Sequence, residues 1–516
     1  MAKNYLIGIG GTGARVIEAM AFMCAAGYGP EELNVFLVDP DAGNGNLTRT
    51  KTLLSLYKEC QERFAATKPG EPFRTKIKSP EKFVWEIFED KDTTLSNYIN
   101  YQNLKQTRRD LAGLAEVLFT ESELMTKLNE GFRGHPAIGA VVMSSPPEDK
   151  NPWKTLWEDI ERATRVNELR VFLVGSIFGG TGAAGIPTFG APDMIKFNPN
   201  ARVGEQSKVL LGGALVMPYF TFDSDDGTTE SLFISSADFP IATRAALHYY
   251  NTKDLAFDQL YFIGDSLAQR VGRFSPGSLK QENAPHYIEM TTGLAACDFF
   301  DQPDNIESTE KLYFTACRDS RELKWESLPV TRDTHLKSEK QNKLKSQMTT
   351  MAVFAYALNT YGKTILAQKY GEILDTWYLD HFWPGGSEDD ERKNNPGFVE
   401  NEELINKVSS FANRFLTWIC AFDDETRKVM LVDREKIVNG DIESGKEPEL
   451  FDPLTNRSNI ARMLKEPSQD RDFAYFVNRD LNQIKISDRT LTAGNKFLKL
   501  FYEAAKKYSL ENFTIK

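Results

Sequence analysis

Short unbroken apolar runs alternate along this chain with longer stretches in which apolar residues return every three or four positions. Residues 5–9 form the first such run, and over residues 13–27 the side chains of Val16, Ile17, Met20, Phe22 and Met23 fall at helical spacing. An unbroken run of this length suits a strand covered on both faces, whereas the longer spacing suits a helix. Gly27-Tyr28-Gly29-Pro30 stops that helix, and residues 35–38 read as a second strand ending in Asp39-Pro40-Asp41 and a Gly/Asn loop. The opening forty residues therefore predict a β-α-β unit.

Strand-like runs return at residues 138–143, 171–174, 209–217 and 260–263. Strands alternating with helices predict an α/β protein built on a doubly wound, mostly parallel sheet of Rossmann-like type. Residues 51–136 are charged and mostly helical in pattern, with Phe83, Trp85 and Phe88 spaced for one face, and read as a long helical insertion. Beyond about Ser320 the pattern changes. Residues 337–374 and 401–421 read as long amphipathic helices separated by a Gly/Pro/acidic stretch at 384–397. The expected organisation is an α/β domain over 1–320, interrupted at 51–136, followed by a mainly helical C-terminal domain over 321–516.

Composition narrows the possibilities. A chain of 516 residues that is 41% hydrophobic can bury a sizeable core. No run approaches the roughly 20 apolar residues of a membrane span, and a first strand at Tyr5 leaves no room for a cleavable signal, so a cytoplasmic protein is expected. The five cysteines have no C-x-x-C pairing and the five histidines are scattered, which supports neither a disulfide framework nor a metal cluster. A net charge of -11 argues against nucleic acid as the main partner.

The candidate chemistry sits in two glycine-rich turns. Gly8-Ile9-Gly10-Gly11-Thr12-Gly13 follows the first apolar run, and Gly179-Gly180-Thr181-Gly182-Ala183-Ala184-Gly185 follows the run at 171–174. Glycines let backbone N–H groups approach phosphate oxygens without an intervening Cβ, and the helix dipole favours the anion. Alone, the first turn also satisfies the dinucleotide fingerprint through Gly8, Gly10 and Gly13, with Asp39 as a ribose contact, so a flavin or nicotinamide oxidoreductase stays open. A second such turn instead suggests a triphosphate held from two sides, with Thr181 as a further hydroxyl donor. Gly362-Lys363-Thr364 ends like a P-loop but has no glycine at the upstream position, and the basic stretch 337–345 reads as one solvated helix face. The aromatic cluster at 377–383 reads as helix packing.

At these residues the chain resembles the tubulin/FtsZ superfamily. The first turn matches the family's form G-x-G-G-x-G at Gly8, Gly10, Gly11 and Gly13, with Arg15 where an amide is usual. The second resembles G-G-G-T-G at Gly179, Gly180, Thr181 and Gly182, with Phe178 in place of the leading glycine and Ala183 and Ala184 in place of a hydroxyl and a glycine. Further likenesses follow in the family's order at residues 38–42, 217–223 and 260–265, and in a helical run over 283–300 similar to the central helix. The resemblance covers roughly residues 3–310, apart from 51–136.

What it implies is a GTP/GDP site with Mg2+. Gly10, Gly11, Thr12, Gly13, Arg15, Asp39, Gly179, Gly180, Thr181, Gly182, Asp223 and Asn283 would line it, with Asp223 at the ribose and Asn283 at the purine edge. The family completes hydrolysis with an acidic loop from the next subunit of a filament, matched here by Asn305-Ile306-Glu307-Ser308-Thr309-Glu310, so Glu307 and Glu310 become the candidate catalytic acids; a solvated acidic turn is the plainer account of that segment. Self-association head to tail is implied, with hydrolysis completed by the neighbour. A nucleotide-gated switch or scaffold with little hydrolysis, binding a protein partner through its helical C-terminal region, is the alternative.

Overall fold

A computed structural model describes residues 2–41, 43–64, 71–80, 82–87, 93–128, 132, 134–163, 168–196, 209–223, 236–273, 283–302, 310–314, 322–363, 396–423, 428–440, 442, 448–452, 456, 463, 471–472, 475–486 and 491–513. The chain opens with β1 (Lys3–Ile9), α1 (Gly10–Ala25), β2 (Glu32–Val38), α2 (Gly45–Phe64), β3 (Lys76–Lys78) and β4 (Val84–Trp85). Four short helices follow: α3 (Leu95–Tyr98), α4 (Tyr101–Thr107), α5 (Arg109–Leu118) and α6 (Glu121–Leu124). Then come α7 (Pro136–Met143), α8 (Trp153–Arg162), β5 (Leu169–Ser176), α9 (Gly180–Phe189), β6 (Val209–Val216) and β7 (Phe220–Asp223). The α/β part ends with α10 (Phe239–Thr252), β8 (Gln259–Ile263), β9 (Gln269–Arg273), α11 (Tyr287–Phe300) and β10 (Glu310–Phe314).

The main sheet runs β10-β8-β6-β5-β1-β2-β3, with β4 also on β2, and every pairing in it is parallel. From β1 the chain first moves outward to β2 and β3, then returns to the other side of β1 to add β5, β6, β8 and β10. That reversal, between β1 and β5, is the place where loops leaving neighbouring strand ends part to opposite faces and open a crevice. Alternating side chains build a separate core on each face. Leu6, Val35 and Val174 pack with α1 and α11, whereas Tyr5, Ile7, Ile9 and Val171 pack with α7, α8 and α9.

Beyond the sheet lie β11 (Glu322–Leu323), α12 (Lys337–Ala357) with a π-turn at Leu358–Gly362, α13 (Pro396–Cys420), β12 (Lys428–Val429), α14 (Arg434–Ile437) and α15 (Ala493–Phe513). The composition break at Ser320 is not a break in the core. Phe22 of α1 stacks on Trp418 at 5.0 Å between ring centroids and meets Phe411 and Phe415 at 5.5 and 5.9 Å. One continuous apolar cluster thus joins α1, α2 and α11 to the C-terminal helices.

Three expectations change. Residues 138–143 form part of a helix, α7, and not a strand: a six-residue apolar run carries no period, and Pro136 at the first helical position with Gly139 against α9 selects the helix. An added Cβ on Gly139 would stand 2.6 Å from Ala184 Cβ, so the glycine permits this close crossing. Residues 51–136 are not wholly helical, because β3 and β4 extend the sheet beside β2. The helical run expected from Asn283 starts at Tyr287 instead, since Pro285 disfavours helical backbone at Ala284 before it.

Other motifs resolve into packing. Gly362 closes the π-turn against Leu358 and Phe497. Lys340 and Lys345 on α12 pair with Asp301 and Glu326, as a solvated face would. Residues 377–383 lie outside the described residues. Burial pushes the thiols of Cys24, Cys60 and Cys420 up to about 12, so they are unreactive packing groups at neutral pH. No helix among the described residues is long and apolar enough to cross a membrane.

Candidate functional site

Both glycine turns leave the same edge of the sheet, from the adjacent strands β1 and β5. Their glycines are fixed by contact distances. A Cβ on Gly13 would lie 2.5 Å from the carbonyl carbon of Gly8 and 2.9 Å from the Val174 oxygen, and one on Gly182 would lie 2.3 Å from the Ser176 oxygen. Each helix therefore sits directly over the strand it follows. Gly10 adopts φ +72°, a conformation that favours glycine, and its Cβ position is 3.3 Å from Thr181 Cβ and 3.7 Å from Gly182 N. The two turns lie side by side, with room for no more than a methyl group between these residues.

Neither helix caps itself. Ile9 precedes α1 and Gly179 precedes α9, neither makes a side-chain cap hydrogen bond, and the first turns carry no acidic residue. The opening N–H groups of two helices, with the positive ends of both dipoles, thus converge on one crevice. Gly11, Gly179, Gly180 and Thr181 are half-buried at its mouth, while Gly10, Thr12, Gly13 and Gly182 are buried below. Phe178, which stands where the resemblance has a glycine, turns away into an aromatic cluster with Phe239, Phe220 and Tyr219, at 4.7, 5.6 and 6.5 Å.

The loop after β2 supplies the second wall. Asp39 Oδ1 accepts the Asp41 N–H at 3.0 Å, Asp41 Oδ1 accepts that of Gly43 at 3.0 Å, and Asn44 Oδ1 accepts that of Asn46 at 2.9 Å, which caps α2. A Cβ on Gly11 would stand 3.4 Å from Asn46 Nδ2 and 3.5 Å from Asn44 Nδ2, so these amides face the first turn. The sequence signal for them was the Gly/Asn composition of that loop, which carries no motif of its own. Asp39 is only 3% exposed, which weakens its reading as a ribose ligand.

Burial pushes the Asp39 carboxyl up to about 7, with the Asp41 charge acting in the same direction and Asp41 N–H and Lys51 opposing it. The folded state then holds a proton that the unfolded chain, titrating near its ordinary value of about 3.8, has released. Stability is expected to fall as pH rises from about 4 to about 7 and to level off above. Asp39→Asn keeps an oxygen for the Asp41 N–H and should flatten that slope in urea melts at a series of pH values.

No family model matches the chain, and no curated protein matches it.

Asn283 is brought to the same wall: its N–H donates to Asn46 Oδ1 at 3.0 Å, ahead of α11. Arg15, expected at the base or the phosphates, has its guanidinium beneath the first turn. It pairs with Glu289 Oε1 at 3.1 Å, donates to the Tyr219 hydroxyl, and is 3% exposed. Tyr219 in turn donates to Glu289 Oε1 at 2.9 Å. His286 Nδ1 accepts the Ile288 N–H at 3.2 Å and Glu289 Oε2 accepts the His286 N–H at 3.0 Å, closing a capping box on α11. This network was hidden in the sequence because its members come from three distant segments.

Asp223 ends β7, which pairs with β9 in a separate two-stranded sheet at Asp223 and Arg273. Glu307 lies outside the described residues. Glu310 opens β10 opposite Gln259, the first residue of β8, so it belongs to the sheet edge where strands begin. Among the described residues no group of three or more His, Cys, Asp or Glu is arranged for a metal ion.

Proposed function

We propose that this chain binds a nucleoside triphosphate in the crevice between β1 and β5, that the nucleotide is GTP with Mg2+ as in the tubulin/FtsZ proteins it resembles, and that subunits associate head to tail to complete hydrolysis. The close approach of Gly10 to Thr181 carries the reading, because it makes one cradle of two uncapped helix N-termini. A single dinucleotide pyrophosphate needs one such turn. A longer polyphosphate uses both.

The residues fit that ligand. The N–H groups of Gly10 to Gly13 and of Gly180 to Gly182 would hold phosphate oxygens, and at Gly11 no Cβ stands between the turn and the Asn44 and Asn46 amides that face it. The Thr181 hydroxyl and the Asp41 carboxylate are hard oxygen donors of the kind that suits Mg2+ or its waters. When bound, Mg2+ would offset charge on the phosphoryl oxygens. Asn283 offers a donor and an acceptor on one amide for a purine edge.

The strand order supports assembly in trans. β10 stands four spacings from β1 in the sheet, about 19 Å at the usual separation, and Glu310 is at the edge away from the glycine turns. From that backbone position no side chain reaches this subunit's own phosphates. The start of β10 suits the crevice of a neighbour stacked edge to edge, and such a contact repeats without closing.

In a thermal-shift assay GTP at a hundredfold excess over its Kd should stabilise the protein by about 2.7 kcal/mol, while NAD and flavin leave it unchanged. Stabilisation by a dinucleotide alone would overturn the reading. Phosphate release per subunit should rise with protein concentration. Glu307→Ala combined with Glu310→Ala should abolish release with binding intact, and retained turnover would remove both acids from the mechanism.

A further inference from the structure

Arg49 on α2 holds two things at once. Its Nε and Nη2 reach both carboxylate oxygens of Glu18 on α1, at 2.7 to 3.0 Å, and its Nη1 donates to the carbonyl oxygen of Asn283 at 2.9 Å. The Glu18 side chain is 6% exposed and that of Arg49 16%, so the pair is largely withdrawn from water. One turn earlier on α2, Asn46 accepts the Asn283 N–H at 3.0 Å and makes a long contact, 3.5 Å, from its Nδ2 to Asn283 Oδ1. The backbone N–H and carbonyl of Asn283 are thus both held by α2 side chains, and the same Asn46 amide faces Gly11.

We infer that Arg49 is a positioning residue for base selection. Resting on the nucleotide reading above, this assigns to Arg49 the task of fixing the Asn283 amide at a set reach from the glycine turns, so that one ligand meets phosphate donors and a base-reading amide in register. A buried ion pair is weak evidence for stability in itself, since apolar side chains of similar shape often serve as well. The third nitrogen of the Arg49 guanidinium, Nη1, decides the matter. The planar guanidinium has five donors in a fixed fork, and once two grip Glu18 the direction of the next is set, here toward the carbonyl of a residue in the irregular segment ahead of α11. Lysine offers a point charge with no such fork. Glu18 itself is one turn beyond Arg15, whose partner is Glu289, so α1 braces both α2 and α11.

The test compares GTP, ATP and inorganic tripolyphosphate by calorimetric titration on wild type and Arg49→Lys. Lysine keeps a cation against Glu18, so the thermal midpoint should stay close to wild type. The preference for GTP over ATP should fall about tenfold, the loss of about 1.4 kcal/mol of discrimination, while tripolyphosphate binds unchanged. Should Arg49→Lys unfold, the double variant Glu18→Gln with Arg49→Gln removes the pair without leaving a lone charge and should lose the same preference. Full preference retained in the folded variant, or equal weakening of all three ligands, overturns the inference. A wild type that binds tripolyphosphate but does not distinguish the bases overturns it while leaving the phosphate site standing. A wild type that binds none of the three overturns the nucleotide reading as well.

Discussion

Alanine at Gly182 is expected to cost about 3 kcal/mol of stability or more, and alanine at Gly13 a similar amount. In neither case can a neighbour yield. The atoms that the new methyl would meet are the Ser176 backbone at 2.3 and 2.8 Å and the Gly8 and Val174 backbones at 2.5 to 2.9 Å, all inside the central strands. Relief requires lifting a helix from the sheet, which also opens the core beneath it. Gly11→Ala is the control, because its methyl would meet only the amide ends of Asn46 and Asn44 at 3.4 and 3.5 Å. That variant should fold as well as wild type, since alanine suits a helix better than glycine by about 0.5–1 kcal/mol. Its methyl would stand on the ligand side of the turn, and triphosphate affinity should drop. Urea unfolding midpoints together with nucleotide titration separate the two outcomes. Equal stability of all three variants would show that the turns are looser than these distances.

Arg15→Met is the second large effect. It leaves Glu289, which is 1% exposed, with a buried carboxylate whose cation is gone, a change that typically costs about 3–5 kcal/mol. Burial already holds the Glu289 carboxyl above its ordinary value, with Arg15, the His286 N–H and Tyr219 pulling it down. Without Arg15 it rises further. A group whose folded value is raised favours folding as protons become available, so Arg15→Met should be weakest at alkaline pH and recover as pH falls. The double variant Arg15→Met with Glu289→Gln removes the charge and should regain most of the loss across the whole range. Chemical denaturation at pH 8 and pH 5.5 measures both, and a loss in the single variant that does not change with pH would place its origin in packing.

Much of the α/β half was legible because strands covered on both faces must be apolar throughout: β1, β2, β5, β6 and β8 all declare themselves this way. The same rule misled at α7, where an unbroken run of six apolar residues fits a helix lying between other elements equally well. β3 and β4 were invisible, being three and two residues long inside a charged stretch. The glycine turns could be read because steric exclusion marks the chain locally. Asn46 and Arg49 could not, since neither belongs to a spaced motif and their common partner, Asn283, is reached only through the fold. Arg15 was noticed at its position, yet its destination depended on Glu289 and Tyr219, which arrive from α11 and from the loop between β6 and β7.

The packing of Phe22 against Phe411, Phe415 and Trp418 also fixes an order of events during synthesis. Translation at about 5–20 residues per second brings out α13 tens of seconds after α1. Throughout that interval the sheet can assemble with α1 laid on one face, while the greasy outer side of α1 has no cover. The nascent chain therefore presents an aromatic-rich surface to holdases until its last third emerges, and a fragment cut after Ser320 would keep that surface permanently bare and precipitate.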